Sequence, residues 1–304
     1  MAKMHVNDQG SILPCSVDPS NPSRSTSAMT AEATPDDTPV QRTRKRPDGE
    51  ATTNVVLSSH TGTNAPVFRD ILRLFVPVGS TVADVTWGKG VFWTQVPEGL
   101  YEVKGTDLQT GVDCRDLPYE DGSIDALVLD PPYMEGLFRQ KTLHMAGGGS
   151  HSAFRERYSN SQATEHVEGA PKYHDAVLDL YFKAAWEAKR VLRNYGIFIV
   201  KCQDEVSANR QRLTHVELIN EFADDFYCKD LYVVTRPNKP AVARLLKQEH
   251  ARKNHSYFLV FIKKNPDYPK RIRPTAKEAQ AMGLKEIEPW TNETTFVRRE
   301  DTLL

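Results

Sequence analysis

The sequence predicts an α/β fold, a doubly wound and mainly parallel sheet whose last two strands close as an antiparallel hairpin. Three observations predict it. Short apolar runs of strand length alternate with amphipathic helical stretches between residues 66 and 263, which is the pattern of strand–helix–strand units. One run, Ile124–Leu129 (IDALVL), is nearly all apolar, as befits a strand buried on both faces. Two further runs sit at the end of this region with no long helical stretch between them, so they can pair with each other.

The elements follow in order. Residues 66–75 (PVFRDILRLF) place Val67, Ile71, Leu72 and Phe75 at helical spacing, and Pro66 suits a first turn. Residues 81–85 make a short apolar strand ending in a turn with Gly88 and Gly90, and Pro97 keeps any following helix short. Residues 101–106 read as the second strand and Ile124–Leu129 as the third. Residues 175–192 form a long amphipathic helix with Trp186 expected in the core, 196–201 (GIFIVK) a fourth strand, and 214–222 a further helix. Residues 226–235 and 256–263 are the closing strands. Beyond them, Thr275 and Glu278 have capping-box spacing, which starts a short helix over 275–282.

The chain has 304 residues, 39 basic and 40 acidic side chains, and a net charge of -1. The length allows one large domain or two small ones with an ample core. The near-zero charge excludes a histone-like polycation but not a local basic groove. A hydrophobic share of 39% is low, and the shortfall falls at the ends. Residues 1–53, rich in Ser, Thr and Pro, are expected to be a disordered tail, with Arg42, Arg44, Lys45 and Arg46 as solvated charge. Residues 54–266 are the globular domain and 267–304 a polar extension with the one short helix. Cys15, Cys114, Cys202 and Cys228 form no C-x-x-C pair, and there is neither a signal-peptide core nor a membrane-length apolar run. The expected setting is reducing and cytoplasmic, with no membrane partner.

Asp130-Pro131-Pro132-Tyr133 directly follows the buried strand, at the strand end where α/β sheets bind ligands. Asp130 can accept a hydrogen bond from an amine, and the two prolines stiffen a loop rich in free carbonyls. Tyr133 offers a flat face for stacking a planar ring. Upstream, Gly88-x-Gly90 has Trp93 where a dinucleotide fingerprint requires its third glycine, so a phosphate cradle is not expected. Asp84, Asp107 and Asp113 stand at or just after successive strand ends and favour a nucleoside-bearing ligand, Asp107 toward ribose hydroxyls and Asp113 toward an adenine amine.

On these residues the chain resembles the S-adenosyl-L-methionine-dependent DNA methyltransferases that modify exocyclic amines, the N6-adenine and N4-cytosine family. DVTWGKGVF looks like the family's cofactor loop and DLQTG its ribose-binding turn. DCRDLPYEDGSIDALVLDPPY is similar to the stretch that runs into its catalytic motif. GIFIVKCQDE, DLYVV and NHSYFLVFIKK resemble its later strands, and residues 60–68 the segment that folds over the methionine end of the cofactor. Thr86 and Trp87 stand where the family usually has small or apolar residues.

The resemblance implies a Rossmann-like class I methyltransferase fold over 54–266, with S-adenosyl-L-methionine as cofactor. It implies catalysis by Asp130, Pro131, Pro132 and Tyr133, and cofactor contacts from Asp84, Thr86, Gly88, Gly90, Asp107, Asp113 and Pro66. The implied substrate is a base flipped out of double-stranded DNA, adenine N6 ahead of cytosine N4, in the class that includes restriction–modification enzymes. An RNA base amine is the alternative, and phage, prophage and chromosome all stay open as the source. The expected oligomeric state is monomer. Stacking by the Tyr133 ring predicts that Tyr133→Phe is mild. The stretches 134–174 and 237–255 are expected to contact DNA phosphates, through Arg139, Lys141, Arg155 and Arg157 in the first and Arg236, Lys239, Arg244, Lys247, Arg252 and Lys253 around the second. His144, His151, His166 and His174 lack a metal-ligand repeat and are expected to face solvent or DNA.

Overall fold

In chain order the strands are β1 (Ser59–Thr61), β2 (Thr81–Asp84), β3 (Glu102–Gly105), β4 (Ile124–Leu129), β5 (Leu192–Cys202), β6 (Glu205–Ser207), β7 (Arg210–Arg212), β8 (Phe226–Thr235) and β9 (His255–Lys263). The helices are α1 (Asn64–Phe75), α2 (His174–Val191), α3 (Thr214–Glu221) and α4 (Ala276–Ala281). This computed structural model describes residues 55–134, 171–237, 247–281 and 283. The expected tail 1–53 lies outside the described residues, as do Arg139, Lys141, Arg155, Arg157, Lys239, Arg244, His144, His151 and His166.

Seven strands form one sheet in the order β1-β8-β9-β5-β4-β2-β3. β3, β2, β4 and β5 are parallel neighbours, β9 runs antiparallel to both β5 and β8, and β1 runs parallel to β8. Six strands therefore share one direction and β9 alone opposes them. The expected doubly wound sheet and its closing hairpin are both present. β1 precedes the first element read from the sequence; at three residues it is too short to show an alternation. The β6–β7 hairpin is also unexpected. Its turn puts Ala208 and Asn209 at φ of 49° and 58°, the geometry that Asn-Gly usually signals.

Alternation along the strands builds two cores. Ala83, Leu127, Leu129, Phe198, Val200 and Phe261 point to the face covered by α2 and α3. Val82, Ala126, Val128, Ile197, Ile199, Phe258 and Val260 point to the face covered by α1. Both faces of β4 are thus buried, which accounts for its apolar run. The α1 face is lined with rings: Phe68 packs on Phe92 and Trp93 at centroid distances of 5.4 and 5.1 Å, and Phe92 on Phe258 at 5.3 Å. Thr275 and Glu278 exchange the capping-box bonds that start α4.

Trp186 is a correction. It is 63% exposed. The buried stripe of α2 runs through Val177, Leu180, Tyr181, Ala184, Ala185, Ala188 and Val191, and position 186 falls outside it.

Candidate active site

The same alternation carries polar residues to one edge of the sheet on the α1 face. Asp84 follows Val82 by two on β2, Lys201 follows Ile199 on β5, and Ser256 precedes Phe258 on β9. Asp130, two beyond Val128, continues the row from β4. Register brings them together: Leu129 pairs with Val200, so Asp130 and Lys201 are the next residues along on adjacent chains. This is the carboxyl edge of the parallel strands, where α/β sheets bind ligands. The antiparallel β9 begins there.

Asp130 is wired to the glycine turn. Its backbone N–H donates to Thr86 Oγ1 at 2.6 Å, and the Thr86 N–H donates to Asp84 Oδ1 at 3.2 Å. The Tyr133 hydroxyl donates to Asp130 Oδ1, so Tyr133 contributes more than a ring. Pro131 is buried while Asp130, Pro132 and Tyr133 are half-buried. Burial pushes the Asp130 carboxyl up to about 6, against the opposing pull of Lys201, the Tyr133 hydroxyl and Arg236.

The turn itself is held by two aspartates. Asp107 Oδ2 accepts the Gly88 N–H at 2.9 Å, and its Oδ1 accepts from Gln109 and Thr110 at 2.6 and 3.2 Å. Asp84 Oδ2 accepts the Trp93 indole N–H at 2.9 Å. Trp93, which in the sequence only broke a fingerprint, is thus a structural donor beneath the turn. Asp84 is buried, and desolvation raises it to about 7 despite the bonds from Trp93 and Thr86, with Asp130 and Asp107 adding to the rise. Gly88 has φ +54°, and a Cβ there would meet only the Thr86 carbonyl oxygen, at 3.9 Å, so a ligand can approach the backbone there. Gly90 has a different reason: a Cβ at Gly90 or at Gly105 would lie 2.7 or 2.6 Å from the Trp87 indole, which packs against both.

This donor set suits a nucleoside. Asp107 Oδ2 has one protein donor and retains capacity for a hydroxyl. Pro66 lies in the first turn of α1, directly after β1, whose parallel pairing with β8 delivers it to the same edge. Asp113 is committed elsewhere. Both its oxygens accept from Arg115, at 2.6 to 3.1 Å. Burial would raise it, but the Arg115 contacts outweigh that and hold it below the usual carboxylate range.

His174 is a second correction. It is 1% exposed, with Nδ1 2.7 Å from Glu205 and Nε2 2.5 Å from Glu217. Burial would lower its pKa, but the two carboxylates outweigh that and raise it. It faces neither solvent nor DNA. Of the basic residues expected on the second loop, Arg236, Lys247 and Arg252 are exposed, and Lys253 is half-buried with its carbonyl accepting from Gln203. Arg252 and Lys253 lie just before β9 in sequence, and Arg236, just after β8, donates its backbone N–H to the Asn254 carbonyl at 2.7 Å. Lys201 and Ser256 are not among the residues the sequence singles out. Lys201 is 1% exposed and donates to Ser256 Oγ, with its ammonium 4.6 Å from the Phe258 ring centroid. A charge placed in step with Ile197 and Ile199 was the available signal.

A family model described as DNA methylase matches residues 124–299, more than half of the chain, beginning at the first residue of β4. No curated protein matches. Among the solved structures that resemble it is a Thermus thermophilus protein provisionally assigned as a DNA modification methylase, at 17% identity and TM-score 0.30, covering 56% of this chain and 57% of that one. Another is TrmN from Thermus thermophilus, at 14% identity and TM-score 0.35, covering 65% and 48%. A third is a 1,6-didemethyltoxoflavin-N1-methyltransferase from Burkholderia thailandensis with bound S-adenosylhomocysteine, at 13% identity and TM-score 0.36, covering 66% and 79%. The chain spans about half the length of the first two.

Proposed function

Because this chain belongs to the DNA methylase family, we propose that it transfers a methyl group from S-adenosyl-L-methionine to N6 of an adenine flipped out of double-stranded DNA. The observation that carries this reading is the link between the two loops, Asp130 N–H to Thr86 Oγ1. It joins an amine-binding carboxylate to a turn fitted to a nucleoside. In this reading residues 54–266 are the methyltransferase domain and 267–304 its extension.

The cofactor, when bound, supplies the electrophilic methyl. Asp107 holds its ribose hydroxyls, Gly88 admits its backbone-side approach, and Thr86, Gly90, Asp84 and Pro66 shape the rest of the pocket. Asp130 and the Pro131 carbonyl accept the two N–H bonds of the amine. That localises a lone pair otherwise delocalised into the ring and aims it along the transfer line. The two prolines keep the acceptors in place before substrate arrives, and such preorganised electrostatics supply most of the acceleration. The nitrogen gains the methyl and gives up one proton, and Asp130 is the base beside it. Tyr133 stacks on the base and steadies Asp130 through its hydroxyl. Unstacking and unpairing the base costs a few kcal/mol, which Lys247, Arg252 and Lys253 offset through phosphates.

The test is direct. The full chain, labelled S-adenosylmethionine, and separately DNA or RNA are incubated, and the digested product is analysed by mass spectrometry. N6-methyladenine in DNA is the expected product. N4-methylcytosine overturns the base assignment, and methylated RNA alone overturns the substrate. In Asp130→Ala, transfer falls by about 100- to 1000-fold, the usual cost of losing one preorganised partner, while calorimetric affinity for the cofactor stays near the parent's. Robust transfer by this variant refutes the role of Asp130.

A further inference from the structure

A fully buried lysine is expensive unless something offsets its desolvation. Lys201 is the one buried lysine among the described residues. Its hydrogen-bond partner, Ser256 Oγ, is neutral, and Phe258 offers only a ring face. Among the described residues no carboxylate lies within ion-pair distance of it. The opposite charge that acts on it most is Asp130, its neighbour at the end of the adjacent strand. Replacing such a lysine with an apolar residue of similar length is often neutral or stabilising, so stability alone does not account for it.

We propose that Lys201 is a positioning residue of the transfer step: its buried ammonium keeps the Asp130 carboxylate ionised, and so able to accept the amine's N–H bond. The inference rests on the methyl-transfer reading given above. Ser256 fixes the ammonium on the α1 face, and the Tyr181 hydroxyl, from α2 on the other face, donates to the Lys201 carbonyl at 2.8 Å and holds the strand end. The groups that face the pair are few. From its own loop Tyr133 donates to Asp130, from the end of β8 Arg236 acts on both, from β2 the Asp84 carboxyl is raised in part by Asp130, and from β5 Cys202 adjoins Lys201. Arg236 is exposed and screened by solvent. Lys201 is therefore the principal buried positive charge that favours the carboxylate, since Tyr133 contributes a dipole. Removing that charge raises the pH at which Asp130 ionises.

Lys201→Met keeps length and removes the charge; Ser256→Ala keeps the charge and frees it. Both are made in the full chain. kcat and KM are measured across pH with S-adenosylmethionine and duplex DNA, and the Asp130 carboxyl is followed by 13C NMR in the resting protein, its signal assigned with Asp130→Asn. In Lys201→Met the acid limb of kcat moves up by at least about one pH unit, a tenfold loss of the ionised form at a pH on that limb. kcat recovers at high pH, and KM for the cofactor stays within about twofold, because an interaction acting on the chemical step alone leaves ground-state binding unchanged. Ser256→Ala shifts the limb the same way by less. If the Asp130 titration and the acid limb stay in place in both variants, or if Lys201→Met lowers kcat equally at every pH, the proposal is overturned. Should Lys201→Met fail to fold, an unmoved titration in Ser256→Ala overturns it. A parent that methylates no DNA at any pH removes the functional reading, while the resting-state titration still decides whether Lys201 holds Asp130 ionised.

Discussion

Tyr133 joins two contributions that one pair of substitutions separates. In the proposed reading its ring stacks on the base, and its hydroxyl donates to Asp130, a bond that favours the ionised carboxyl. Tyr133→Phe removes only the bond, so its cost concentrates on the acid side: a several-fold loss of kcat/KM near pH 6 that fades above pH 8. Tyr133→Ala also forfeits stacking, worth about 1–3 kcal/mol, at every pH. Parallel pH profiles for parent and Tyr133→Phe would remove the hydroxyl from the mechanism. The mildness expected from the sequence rests on the ring alone, and the hydroxyl bond adds this acid-side cost to that expectation. Asp84 gives a stability prediction with a definite sign. Burial raises its pKa from 3.8 unfolded to about 7 folded, so its contribution is fully present below pH 3.8 and is lost as pH rises to 7. Asp84→Asn can keep the acceptor for Trp93 and removes the titration. At pH 8 it is more stable than the parent by about 2–4 kcal/mol, and at pH 4 the two are alike. Denaturant melts at both pH values check this, and equal gaps at the two would refute it.

Among the elements, the turn after β2 is the most sensitive to a single methyl. Gly105 lies on β3, outside the turn, yet a Cβ there would come 2.6 Å from Trp87. Gly105→Ala therefore pushes the indole and reshapes the turn between Asp84 and Gly90. Overpacking of this size costs about 1–3 kcal/mol, and it is expected in cofactor affinity, with tryptophan fluorescence altered and the far-ultraviolet spectrum intact. Calorimetry showing parental affinity would place Trp87 outside the pocket wall. Elements of this kind divide sharply in how much the sequence disclosed. β4 and β8 fall on the expected residues because an apolar run bounded by turn formers leaves little choice. The Asp-Pro-Pro-Tyr loop and both aspartates of the turn were legible because strand ends locate them. β1 and β6–β7 were not, since three-residue strands have no period and the Ala208–Asn209 turn lacks glycine. Trp186 is misplaced because apolar character puts an indole in the core, whereas the buried stripe of α2 passes it by. His174 is misplaced because it reads as the end of the preceding loop, whereas it opens α2 and is held between two carboxylates. Lys201 was hidden by its charge, which reads as the end of a strand until its register with Asp130 is known.

At the scale of the molecule, a net charge of -1 means that, in the proposed reading, DNA affinity depends on where the cations lie. Arg252 and Lys253 lie just before β9, whose start lies at the edge that holds Asp130, and Lys247 lies in the same segment, upstream in sequence. Neutralising all three should weaken DNA binding at low salt and flatten the log–log salt dependence by about 0.9 for each phosphate that is no longer neutralised. A slope matching the parent's would put the binding face elsewhere. The edge strand β1 carries a different consequence. Ser59 to Thr61 pair with Val233 to Thr235, and the Gly62 N–H donates to Thr235, so a stretch made early waits for one made much later. During synthesis from the amino end, the segment carrying Pro66 has no partner at this edge until β8 and β9 leave the ribosome. Order of manufacture and order of assembly are reversed here, and the edge that leads into Pro66 closes only once β8 has been made.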